Sequence, residues 1–316
     1  MKEIFGRPAG RTSGQSVPLT HDDGEPAMKI FDIHPHVVSA DTRRYPLNHL
    51  FDHVADYVHA RPVDTDAMLA AMDEAGVAKA VLVHSSMAYG YDCTYAADSA
   101  EAHPDRFASV CAVNVRAPDA VQMLRHWIRE RGMNGMRIFT SGGAMPKDPS
   151  WLVDPIMFPV WEEAAELGIP ICFRNPPAGF KLLPQLVNEF PSVPMLLEYV
   201  YGPAEGEKAP FPSLDAFWAL SDEPTVYLKL KTHNILELSP DPAVRQAFLA
   251  RLVEVFGADR IAYGSNYPTS EGTLVDIIAD AQRELAFLSE NDREAIFSNT
   301  ALTLYPALGT RAGSTA

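Results

Sequence analysis

From residue 29 onward, short runs of β-branched and other apolar residues alternate with longer stretches in which apolar positions recur every three to four residues. Short continuous apolar runs read as strands buried on both faces, and the longer period reads as amphipathic helix. The pattern predicts strands over 29–33, 80–84, 107–113, 134–139, 169–174, 194–199, 225–230 and 260–263. Between and after them it predicts helices over 64–75, 93–103, 118–131, 155–167, 181–190, 213–221, 242–256 and 273–286. Strictly alternating strands and helices imply a parallel sheet, and in one domain of this size the natural arrangement is an α/β fold closed on itself, the (β/α)8 or TIM barrel. A doubly wound open sheet would be favoured by a Gly-x-Gly-x-x-Gly turn after a strand, and the chain has none.

Punctuation residues support these elements. Asp64 stands where the 64–75 helix needs an N-cap and Gly76 where it needs a left-handed stop; Gly168 closes the 155–167 helix in the same way. Residues 203–213, rich in Pro and Gly, form a longer loop after the sixth strand that would overhang the catalytic face as a lid. Residues 1–27 are rich in Gly, Pro, Ser and charge without periodicity, and are expected to be a flexible arm; the barrel domain is expected over 28–306 and a frayed tail over 307–316.

Composition narrows the function classes. A chain of 316 residues with 47% apolar residues can bury a full barrel core. The net charge of −15, from 26 basic and 41 acidic residues, opposes nucleic acid as a partner. Cys93, Cys111 and Cys172 are scattered, which suits reduced core thiols and a cytoplasmic protein better than disulfides or a zinc framework. No apolar run approaches the roughly 18 residues of a membrane span, so no membrane partner is expected. A homo-oligomer remains open.

Chemistry concentrates where predicted strands end. Asp32-Ile33-His34-Pro35-His36 closes the first, and on an extended chain its two imidazoles project from one face. Gly264-Ser265-Asn266-Tyr267-Pro268 closes the last. An early Asp-x-His-x-His and a late Gly-Ser-Asp-x-Pro on the outer strands of a barrel mark the amidohydrolase superfamily, and residues 28–306, including Gly-Ala-Asp-Arg-Ile-Ala-Tyr at 257–263, resemble its amidohydrolase 2 branch. Residues 290–305 resemble that family's C-terminal helices.

In metal-dependent members of the branch, strand-end histidines and the late Asp join the early pair. Here Arg174 ends the fifth strand, Glu198-Tyr199 ends the sixth where the family usually has Asp-His, and the late Asp is Asn266. Ligand count and charge therefore predict no metal and no other cofactor. The same branch contains metal-free lactonases typified by 2-pyrone-4,6-dicarboxylate lactonase. That resemblance implies that His34 and His36 polarise a carbonyl or receive its developing charge, and that Arg137 clamps a carboxylate. Arg174, by position, would reach the same pocket.

Asn266 can orient water or substrate but cannot accept its proton, so another group must be the base: Glu198, His84 or one of His34 and His36. Glu198 is preferred because burial would raise its pKa. Plainer readings stand beside these: a Glu198–Arg174 ion pair, His84 and His233 as satisfied rim histidines, Lys229 and Lys231 as solvated strand-end lysines. Tyr199 and Tyr267, with Tyr89, Tyr91 and Tyr201, would line the mouth for a planar substrate. The expected function is metal-independent hydrolysis of a small anionic lactone or ester, within aromatic catabolism. The alternatives are a metal-dependent decarboxylase of an aromatic acid and an inactive barrel that binds an anionic metabolite.

Overall fold

A computed structural model describes residues 28–50, 54–139 and 148–309. The expected arm over 1–27 lies outside them. All eight strands form: β1 Ile30–Asp32, β2 Val77–Val83, β3 Phe107–Ala112, β4 Met136–Phe139, β5 Ile171–Arg174, β6 Met195–Leu197, β7 Val226–Lys231 and β8 Ile261–Gly264. They are parallel neighbours in chain order, as right-handed strand–helix–strand crossovers require. The seam between β1 and β8 is held just beyond the strand ends, where Ile33 N donates to Tyr263 O at 3.0 Å and His36 N to Tyr267 O at 2.8 Å. This is a (β/α)8 barrel.

The helices follow the periodic segments, and their ends have local causes. The Asp64 carboxylate accepts from Ala67 N at 2.9 Å, and Gly76 stops that helix with φ 69°. Three helices escape the sequence pattern: Asp56–His59, Ser86–Tyr89 and Thr232–Glu237. Each is one or two turns long, too short to show a period. The 203–213 segment is pinned rather than free to act as a lid. Phe211 is fully buried against Phe248 and its carbonyl accepts from Trp218 Nε1 at 3.0 Å, while Glu207 takes the backbone N–H of Ser213 at 2.8 Å.

Inside the barrel, Phe31, Val81, Val110, Cys172, Leu196 and Ala262 pack on one another and on Leu304, Tyr305 and Leu308 from the chain's end. These last residues plug the barrel floor. The tail expected to fray from 307 therefore stays packed through Gly309, in the turn Pro306–Gly309, with Lys79 Nζ donating to Leu308 O; the rest of it lies outside the described residues. No helix among the described residues is long and apolar enough to cross a membrane.

Candidate active site

With the floor plugged, the open end is the C-terminal rim of the strands, where (β/α)8 enzymes carry their chemistry. Asp32 anchors the first part of it. Its buried Oδ1 accepts from His34 N at 3.0 Å and Ser265 N at 2.8 Å, tying the two outer strands together beneath the histidines. Burial raises the Asp32 pKa, against the lowering effect of those bonds. The chain then leaves strand geometry, yet the two imidazoles do meet, edge to face, with ring centroids 4.9 Å apart. A Cβ on Gly264 would come within 2.7 Å of His34 Cβ, so glycine at this position is what lets His34 lean across β8.

Across that gap Lys229, fully buried, places Nζ 2.9 Å from His34 Nδ1. An ammonium can only donate, so His34 accepts at Nδ1 and carries its proton on Nε2. His36 is fixed in the opposite sense. Its Nδ1 lies 2.7 Å from Val83 O, a carbonyl that can only accept, which leaves a bare lone pair on Nε2. Neither Nε2 has a hydrogen-bond partner among the described residues. Burial pushes the His34 pKa well below the ordinary imidazole value and, with Arg137, takes His36 to about 3, so both rings are neutral at neutral pH.

Glu198 is the buried counter-charge of this centre. Its Oε2 accepts from Arg137 Nη2 at 2.8 Å and Nε at 3.1 Å, and its Oε1 lies 3.8 Å from both His34 Nδ1 and Lys229 Nζ. Burial alone would raise its pKa, but Arg137, Lys229 and Lys231 outweigh it and hold the carboxyl at about 2. The expectation that burial gives Glu198 a raised pKa is therefore overturned, because the neighbouring cations outweigh burial. Arg137, expected to clamp a substrate carboxylate, holds Glu198 through Nε and Nη2. The ion pair is with Arg137, not Arg174.

The rim is cationic and aromatic. Arg174 is exposed and stacks 5.0 Å from the Tyr199 ring centre; Lys231 Nζ lies 5.8 Å from the same centre. The Tyr199 hydroxyl donates to Glu237 at 2.7 Å, and burial, reinforced by that bond, pushes its pKa to about 12. His84 is buried: Nε2 donates to Gly90 O at 2.9 Å, and burial lowers its pKa to about 4. Asn266 takes a left-handed turn, φ 60°, and donates from Nδ2 to Ser270 Oγ at 3.3 Å. Tyr267, half-buried beside it, donates its N–H to Ser265 Oγ at 2.9 Å.

The family model described as Amidohydrolase matches residues 31–307. The chain belongs to the amidohydrolase family. Among solved structures of this fold, a probable 2-pyrone-4,6-dicarboxylic acid hydrolase from Acinetobacter baumannii, with citric acid bound, is 18% identical, covering 88% of this chain and 100% of its own at a TM-score of 0.70. An amidohydrolase from Burkholderia multivorans with bound zinc is 19% identical over 88% of this chain and 99% of its own, TM-score 0.69. A dihydroxybenzoic acid decarboxylase from Polaromonas with bound manganese and 2-nitroresorcinol is 15% identical over 91% and 99%, TM-score 0.61. At these identities the likeness is one of fold. No curated protein matches the chain.

Two of these amidohydrolase-fold structures carry a metal, so the donor set here bears on the chemistry. Among the described residues no three His, Cys, Asp or Glu side chains are placed to hold an ion. His34 Nδ1 is taken by the Lys229 ammonium and Glu198 by the Arg137 guanidinium. Glu198 is thus committed to a cation of the protein, while Nε2 of His34 and of His36 has no partner among the described residues. The residues that sequence reasoning undervalued are Asp32, Lys229 and Lys231; the signal was a Lys-x-Lys step in a strand otherwise apolar and due to be buried on both faces.

Proposed function

We propose that this amidohydrolase hydrolyses a small carboxylate-bearing ester or lactone without a resident metal. The observation that carries this reading is the pair of opposed tautomers: His34 offers an Nε2–H and His36 an Nε2 lone pair, from rings in edge-to-face contact. In hydrolysis His36 takes the proton of the attacking water, and His34 donates to the carbonyl oxygen as it becomes an oxyanion. Collapse of the tetrahedral intermediate returns the His36 proton to the leaving alkoxide. Arg174 holds the substrate carboxylate at the rim, with Tyr199 and Tyr267 as walls and Asn266 orienting the reacting group. His84 supports the loop at Gly90 and does not touch the substrate.

Charge supports an anionic substrate. Four cationic side chains, Arg137, Arg174, Lys229 and Lys231, surround one paired carboxylate in a protein whose overall charge is −15. The test is turnover of carboxylated lactones and esters by purified protein with and without chelator, beside hydroxybenzoates with added manganese. Hydrolysis that survives chelation and disappears in His36→Ala is expected. Decarboxylation requiring added metal would replace this reading with the decarboxylase, and tight anion binding without turnover would replace it with a binding barrel.

A further inference from the structure

β7 brings two lysines into the barrel, and they differ in one respect. Lys229 is tethered to His34 and lies beside Glu198. Lys231, one step nearer the rim, is 7% exposed, and among the described residues nothing accepts a hydrogen bond from its Nζ, which lies 5.8 Å from the Tyr199 ring centre. The groups acting on it come from every neighbouring element: Arg137 from β4, Arg174 from β5, Glu198 and Tyr199 from the end of β6, Lys229 from its own strand, His34 beyond β1 and His233 from the following helix. The one carboxylate among them is committed to Arg137. Burial, with the repulsion of Arg137, Lys229 and Arg174 and against the attraction of Glu198, brings the Lys231 pKa down from 10.5 to about 7.

We infer that Lys231 is a reactive amine that captures the carbonyl carbon of a short 2-oxo carboxylic acid as an imine, with Arg174, against the same tyrosine ring, receiving the carboxylate. A partly buried amine without a counter-ion is a nucleophile whenever its lone pair is free, and a hydrophobic site crowded by other cations favours that form. In the reaction the Nζ lone pair bonds to the carbonyl carbon. The amine then gives up its two N–H protons, the carbonyl oxygen leaves as water, and a C=N bond remains. No oxidant or reductant takes part. The exposed guanidinium of Arg174 supplies planar, bidentate recognition of the carboxylate.

The experiment is borohydride trapping of the full-length protein with pyruvate, read by peptide mass spectrometry, so it needs no hydrolysis and stands apart from the function proposed above. One reduced pyruvyl adduct on Lys231 is expected, with surface lysines of the same sample as background. Labelling should rise through about pH 7 as the amine loses its proton. Lys231→Arg keeps the charge and should lose the adduct. Arg174→Met should weaken labelling by pyruvate more than labelling by acetone, which has no carboxylate and loses only what the amine loses as Lys231 is relieved of the Arg174 charge. An unlabelled Lys231 in the folded wild-type protein would overturn the inference. Equal loss of pyruvate and acetone labelling in Arg174→Met would overturn the role given to Arg174.

Discussion

Replacing Lys231 by methionine should stabilise the protein on the acid side of neutrality and leave it unchanged at high pH. In the native state burial brings the lysine from 10.5 to about 7. Each pH unit of displacement is worth about 1.4 kcal/mol, so keeping the ammonium form in the barrel costs roughly 5 kcal/mol, and roughly 2–5 kcal/mol once a flexible side chain is allowed to lean toward the mouth. Below about pH 7 both the folded and the unfolded chain hold the proton, and the full cost is present. Between about 7 and 10.5 the unfolded chain binds more protons than the folded one, so wild-type stability rises with pH across that window and the cost vanishes above it. Methionine fills similar space without the charge. Urea denaturation of both proteins at a series of pH values gives the difference curve, in which groups common to both cancel. It should favour the variant by roughly 2–5 kcal/mol near pH 6 and fall toward zero near pH 10. A flat difference, or a variant less stable than wild type in acid, would show that the ammonium has a native partner and refute the reasoning.

Glu198→Gln removes a carboxylate that holds Arg137 and lies beside Lys229, leaving buried cations less compensated; a loss of about 3–5 kcal/mol by urea denaturation is expected, and unchanged stability would mean the ion pair is not formed in solution. Gly264→Ala drives a Cβ against His34, so a loss of about 1–3 kcal/mol is expected, together with a shift in the histidine 15N resonances as His34 leaves Lys229. Asp64→Ala deletes a helix cap and should cost about 1 kcal/mol in thermal unfolding.

The fold was legible because strand and helix periods are local properties, and every strand closes within a few residues of where its apolar run stops. The partners of the site residues were not, for a geometric reason. Inside a (β/α)8 barrel, side chains of one layer come from alternate strands. Arg137 on β4 meets Glu198 at the end of β6, over the intervening β5, and Lys229 on β7 meets His34 beyond β1, across Gly264 of β8. A linear reading pairs Glu198 with the arginine of the adjacent strand and places both lysines of β7 in solvent. The early histidine pair and the late glycine were visible as motifs; that the glycine exists to admit His34 was not, since only the folded backbone brings positions 34 and 264 into contact.

The plug at the barrel floor has a kinetic consequence. Lys79 bonds to Leu308 O, and the seam joins Asp32 to Ser265, so the contacts that close and seal the barrel span more than two-thirds of the chain. During synthesis the first strand waits, with one edge unpaired, until the last has been made, and the floor stays open to water until the final turn arrives. Contacts of such long sequence separation make folding slow, and an unpaired strand edge beside exposed core is a template for association with other chains. A nascent chain stalled before residue 300 should therefore depend on chaperones because its floor is still open, although all eight of its strands have been made.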